Sequence, residues 1–208
     1  MFGMNRTRHP VRGPVFALFA LIILIPVSSL WPQNFGIDVP SQYKLYLRIL
    51  TFDRAFKERV GDELVIGILT ENVTRESRDT RDEMIKAISS GPKDLEGVPI
   101  RWTAIDLMKD SDLGASLARE SVDVLYVTPI RIFSIDSITG VCRKIGISTF
   151  TGVPAFVEGG IAVSFSIKGR SAEIIINLKS AKAEGSDFSS RLLDLATVVD
   201  KGPEEGGL

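Results

Sequence analysis

Histidine and cysteine are almost missing from this chain. Its 208 residues include one of each, His9 and Cys142. A single cysteine excludes an intrachain disulfide and any zinc site built from several thiolates. His9 lies close to the N-terminus. If that end is removed, no Ser-His-Asp triad, Cys-His dyad or His-ligated metal site can be built within one chain. Net charge is lacking too: 25 Lys+Arg stand against 26 Asp+Glu, which leaves no electrostatic footprint for nucleic acid. No glycine-rich loop runs into a Lys and a Ser/Thr, so a Walker-type phosphate cradle is excluded. These absences lean away from common catalysis, with no metal or cofactor expected, and towards binding.

The composition, 44% hydrophobic and 25% charged, is that of a globular chain. Residues 1–14 hold Arg6, Arg8 and Arg12 and no acid, and residues 15–27, VFALFALIILIPV, form an apolar run. That run is shorter than the roughly 20 residues a membrane span requires. A basic start, a short apolar stretch and small residues after it describe a secretory signal peptide over residues 1–29, cut after Ser29. The mature chain would then carry 22 basic and 26 acidic residues, a net charge of −4. It would be exported, outside the cytoplasmic membrane. Cys142 reads as a small buried apolar residue.

Residues 30–41 read as a lead-in with two prolines and a glycine. A helix is predicted from Gln42 to Arg59, with Ser41 as N-cap and Gly61 beyond its end. The chain then alternates. LVIGILT (64–70) is a wholly apolar strand of the kind buried on both faces. Residues 74–91 form a helix with a solvated outer face. VPIRWTAID (98–106) alternates like a strand, 112–120 is a short helix, and 122–129 is a second apolar strand. A helix over 130–142 and a short strand over 146–150 follow. IAVSFSI and AEIIINL flank KGRS as a β-hairpin. A helix over 189–199 and a frayed tail over 201–208 end the chain. The expected fold is one α/β domain over 42–200, with a mostly parallel sheet flanked by helices and a C-terminal β-hairpin and helix.

Candidate chemistry is sparse. Thr128, Pro129, Ser148, Thr149 and Thr151 sit near strand ends, where open α/β sheets bind ligands, although such hydroxyls more often cap helices. Glu71 and Asp106 follow strands and are candidates for paired carboxylates. Gly159 and Gly160 read as a bend into the hairpin, or as backbone that a partner approaches closely. Phe156, between Pro154 and Glu158, is either a partner anchor or a local plug over the sheet edge.

The stretch from Gly146 to Val199 carries a more specific pattern. A strand bears Ser148. Phe156 precedes Glu158-Gly159-Gly160 and an apolar strand. Ile176-Asn177 precedes an Ala-rich step, and Ser189-Ser190-x-Leu192-Leu193-x-Leu195-Ala196 closes the series. In this order the motifs resemble the YfiR family, also called DUF4154, and the first helix, YKLYLRILTFDRAF, is similar to that family's opening helix. The resemblance implies an exported, periplasmic, non-catalytic α/β module that represses or modulates a membrane-bound signalling protein, a diguanylate cyclase or histidine kinase, and so feeds cyclic-di-GMP signalling. It implies partner contacts centred on Phe156, Glu158, Gly159 and Gly160, with Ser189 and Arg191 nearby. Ser148, Asn177, Leu192 and Leu193 would be structural. A homodimer through apolar faces of the first helix is expected. With Cys142 alone, the intrachain disulfide switch known in the family is absent. A single-lobe receptor for a small ligand is the alternative reading.

Overall fold

The computed structural model describes residues 36–110 and 112–199, all within one compact unit, Asn34–Leu208. The signal-peptide reading of 1–29, the lead-in as far as residue 35 and the tail over 201–208 lie outside the described residues.

Among the described residues, eight strands form one sheet in the order β2 (Asp94–Leu95), β3 (Val98–Asp106), β1 (Leu64–Thr70), β4 (Val124–Val127), β5 (Ser148–Thr151), β6 (Val163–Lys168), β7 (Ser171–Asn177) and β8 (Thr197–Val199). The two wholly apolar segments become its centre: β1 (Leu64–Thr70) and β4 (Val124–Val127) are buried at every position. They pair in parallel with each other, and β1 pairs in parallel with β3 (Val98–Asp106). β5 (Ser148–Thr151) and β6 (Val163–Lys168) continue the parallel set. β6 turns through Gly169, at φ +65°, into antiparallel β7 (Ser171–Asn177), the expected hairpin. The two-residue strand β2 (Asp94–Leu95) closes the other edge against β3.

Alternation along the strands divides the core into two layers, as a pleat requires. Leu64, Ile66 and Ile68 of β1 and Tyr126 of β4 face α1 (Val39–Leu50) and α3 (Arg75–Ser90). Val65 and Leu69, with Leu125 and Val127, face α4 (Leu113–Arg119) and α5 (Ile135–Ile145). Cys142 is fully buried in that second layer. On the first layer Tyr46 of α1 stacks on Phe150 of β5, with ring centroids 3.7 Å apart.

Both terminal helices differ from expectation. The first begins at Val39, capped by Asp38 rather than Ser41. Asp38 accepts from the Ser41 N–H at 2.9 Å and from the Ser41 hydroxyl at 2.8 Å. It stops at Leu50, and only Phe56–Arg59 (α2) is helical again. Asp53 explains the break. Its buried carboxylate accepts from the Ala55 N–H at 3.0 Å, the Asp187 N–H at 2.8 Å and Arg59 at 2.6 Å, so the chain bends to serve it. The apolar face of α1 (Tyr43, Tyr46, Leu47, Leu50) lies in the core and is not available to pair with a second copy. At the C-terminus, α6 (Leu178–Ala183) and α7 (Ser190–Leu193) are short. The predicted helix to residue 199 gives way after Leu193, and Thr197–Val199 forms β8, parallel to β7.

Candidate functional site

The chain leaving β1 enters α3 on one face, whereas the chain leaving β4 enters α5 on the other. This divergence makes the carboxyl ends of β1 and β4 the switch point at which open α/β sheets gather ligands. A chain of buried polar groups fills it. The Glu71 N–H donates to Ser77 Oγ at 3.1 Å, Ser77 Oγ lies 2.6 Å from Thr128 Oγ1, and Thr128 Oγ1 donates to the Leu69 carbonyl at 2.8 Å. Glu71 Oε2 accepts from the Ile132 N–H at 2.9 Å. Among these groups Glu71 Oε1 and Thr70 Oγ1 are buried without a hydrogen-bond partner.

The strand-end hydroxyls therefore separate into two sets. Thr128 and Thr151 lie at carboxyl ends, and Thr151 Oγ1 donates to the Val127 carbonyl at 2.7 Å. Ser148 and Thr149 open β5 and so lie at the opposite edge of the sheet, because this strand starts two residues later than the apolar pattern indicates. Glu71 and Asp106 do not pair. Glu71 turns towards the loop after β4, while Asp106 accepts from Asn72 Nδ2 at 2.6 Å and from the Met108 N–H at 3.1 Å. Partial burial pushes the Asp106 carboxyl up, but the hydrogen bonds from Asn72 and Met108 outweigh it and hold the group below its ordinary value.

At the opposite edge the family-pattern residues knit the fold together. Ser148 Oγ accepts from the Tyr46 hydroxyl at 3.1 Å and lies 3.3 Å from Ser186 Oγ. Asn177 caps α6 by accepting from the Ser180 N–H at 3.0 Å, and its Nδ2 donates to the Val157 carbonyl at 3.0 Å. Leu192 is buried and Leu193 half-buried against the first core layer. Glu184, which the sequence pattern does not single out, accepts from the Thr149 N–H at 2.8 Å and Thr149 Oγ1 at 2.7 Å. Its complete burial pushes the carboxyl up to about 8, against the opposing pull of the Thr149 hydrogen bonds and of Arg143 and Arg59. The only signal in the sequence is an acid directly after an Ala-rich helix, and that pattern does not distinguish it from a surface residue.

The residues expected to meet a partner fall into two groups. Phe156 lies in a 3-10 turn, Pro154–Val157, between β5 and β6. It is half-buried against the second core layer. Glu158 is exposed. Gly159 and Gly160 lie tight against α5: a Cβ on Gly159 would come within 2.8 Å of Ile135, and one on Gly160 within 2.7 Å of Arg143 Nη1. Ser189 and Arg191 lie elsewhere. The Ser189 N–H donates to the Phe52 carbonyl at 2.9 Å, and the exposed Arg191 places its guanidinium 6.0 Å from the Phe52 ring centroid. That is the face of the sheet carrying α1, so the structure brings Phe156 to Gly160 together but separates them from Ser189 and Arg191.

With this geometry in hand, sequence comparison is decisive on kinship: residues 47–197 match the YfiR/HmsC-like family. The chain belongs to that family. No curated protein matches the sequence. Among solved structures, similar folds occur in a conserved domain protein from Vibrio cholerae (14% identity, TM-score 0.54, covering 78% of this chain and 60% of that one). Another is CD0873, a substrate binding protein with adhesive properties from Clostridium difficile (16%, 0.57, 80% and 61%). A third is an ABC domain in complex with L-Trp from Streptococcus pneumonia (14%, 0.51, 74% and 61%). At such identities the likeness is one of fold. This YfiR/HmsC-like chain spans about 60% of the length of these structures. Among its described residues no helix is long and apolar enough to cross a membrane, and no group of three or more His, Cys, Asp or Glu could hold a metal ion.

Proposed function

We propose that the chain is an exported, non-catalytic regulatory module. It would bind the extracytoplasmic part of a membrane signalling protein, a diguanylate cyclase or histidine kinase, and hold it in one state. The observation that carries this reading is membership of the YfiR/HmsC-like family over residues 47–197. The mechanism is differential binding: the module represses only as far as it prefers the inactive conformation. Contact is made by the turn from Phe156 to Gly160. Glycines at 159 and 160 let that turn lie directly on α5, so the exposed Glu158 is presented from a rigid seat with little ordering cost on binding.

Co-purification with a membrane-bound diguanylate cyclase or histidine kinase of the source organism tests the proposal. Glu158→Arg should abolish capture while leaving the far-UV circular dichroism unchanged. Phe156→Ala should weaken capture as well. Full capture by Glu158→Arg would overturn the site assignment, and the absence of any membrane partner would overturn the role.

The alternative, a single-lobe receptor for a small ligand, draws on a different observation: unpartnered buried polar atoms, Thr70 Oγ1 and Glu71 Oε1, at the carboxyl edge of the sheet.

A further inference from the structure

We propose that the cavity at the carboxyl ends of β1 and β3 binds a small zwitterion, one bearing a carboxylate and an ammonium group a few bonds apart. The cavity measures about 270 Å³ and is lined by Thr70, Asn72, Arg81, Ala104, Asp106 and Lys109, among others. Pockets for drug-sized ligands span roughly 300–1,000 Å³, so its occupant is small.

Three features make this a site rather than a surface dimple. The first is register. β1 and β3 pair in parallel with Thr70 opposite Asp106, so both side chains project to the face covered by α3, and Arg81 reaches down from that helix. The second is an unmet hydrogen bond. Thr70 is 1% exposed and its hydroxyl has no partner, an arrangement that costs stability unless something satisfies it. The third is charge separation. Arg81 and Asp106 are not bonded to each other, because Asn72 stands between them. Asn72 Oδ1 accepts from Arg81 Nη1 at 2.6 Å, and Asn72 Nδ2 donates to Asp106 Oδ2 at 2.6 Å.

The amide thus holds a cation and an anion on either side of it without letting them neutralise one another. Arg81 also contacts Asp82 through Nε and Nη2, both at 2.8 Å. A guanidinium has five N–H donors, so it keeps donors for an incoming carboxylate. Lys109, 82% exposed and 4.0 Å from Asp106, is loosely held and adds to that positive side. The ammonium goes to Asp106, and Thr70 Oγ1 satisfies its hydroxyl on the ligand. A simple anion would face Asp106 and Asp110, a simple cation would face Arg81 and Lys109, and an uncharged polyol would leave both signs unanswered. This inference stands apart from the partner reading: a zwitterion can bind whether or not a membrane protein does.

Isothermal titration calorimetry of the purified protein tests it with glycine, β-alanine and γ-aminobutyrate as probes, and with acetate, methylamine, glycerol and glycine betaine as controls. At least one amino-acid probe should bind saturably. Betaine, which lacks N–H donors, and the single-charge and uncharged controls should bind at least tenfold more weakly. Arg81→Gln should weaken the best probe about tenfold or more, as expected for a charge-assisted hydrogen bond. Thr70→Val, which keeps the side-chain shape, should weaken it severalfold with no loss of melting temperature. Saturable binding of no probe, equal binding of glycerol, or unchanged affinity in both variants would overturn the proposal.

Discussion

Gly160 and Gly169 both have positive φ, +93° and +65°, but they stand in unlike surroundings. A Cβ at 160 would meet Arg143 Nη1 at 2.7 Å and Thr139 Oγ1 at 3.0 Å, whereas one at 169 would meet nothing within 4 Å. Gly160→Ala should therefore cost about 2–3 kcal/mol, strain and clash together, and Gly169→Ala about 1 kcal/mol from backbone strain alone. Urea denaturation of the two variants checks the contrast. The glycine pair was legible in the sequence as a bend, but α5 as the surface behind it was not, since letters do not report a contact between segments twenty residues apart. Glu184 was not legible at all, because its burial is decided by Thr149 on a distant strand. Its effect on stability has a definite sign. The folded carboxyl titrates near 8 against an ordinary 4.5, so between those values the folded state keeps a proton that the unfolded chain releases. The stabilisation is complete below about pH 4.5 and lost as pH rises towards 8. Urea midpoints should fall from pH 5 to pH 8.5, and Glu184→Gln should remove most of that slope.

The strongly periodic elements could be read from the chain, and the short ones could not. β1, β3, β4, α3 and the β6–β7 hairpin fall within a few residues of expectation because their apolar patterns are long or their turns carry glycine. α1 and the C-terminal segment differ because tertiary bonds override local periodicity. Asp53 ends the first helix early, and Thr197–Val199, β-branched and only three residues long, joins β7 as a strand. Burial along the last segment follows from this. Leu192 is 2% exposed but Leu195 is 70% exposed, although a helix to residue 199 would bury both. Leu192→Ala should cost about 2–5 kcal/mol, while Leu195→Ala should change stability by no more than about 0.5 kcal/mol. Equal losses in chemical denaturation would restore the longer helix. Asp38→Ala, which removes the cap of α1, should cost about 1 kcal/mol in the same measurement.

Strand order follows from apolarity: wholly apolar β1 and β4 take the centre, and half-exposed β3 lies further out. What the pattern could not convey is the side of the sheet to which each motif is carried. Phe156 to Gly160 lie with α5 on the second core layer, and Ser189 and Arg191 lie with α1 on the first. An interface of ordinary size buries about 800 Å² on each partner, a patch on one face of such a domain, so both groups cannot stand at its centre. Phe156 sits half-buried in that layer, which gives the turn the firm apolar base that interface anchors use. Arg191 instead covers Phe52 of its own chain. Glu158→Arg should therefore weaken partner binding at least tenfold, whereas Arg191→Glu should leave it within about twofold, in surface plasmon resonance against the partner's extracytoplasmic domain. The reverse ranking would move the interface to the α1 face. Equal losses that add in the double variant would require a partner that wraps both faces, since independent contacts are additive and shared ones are not.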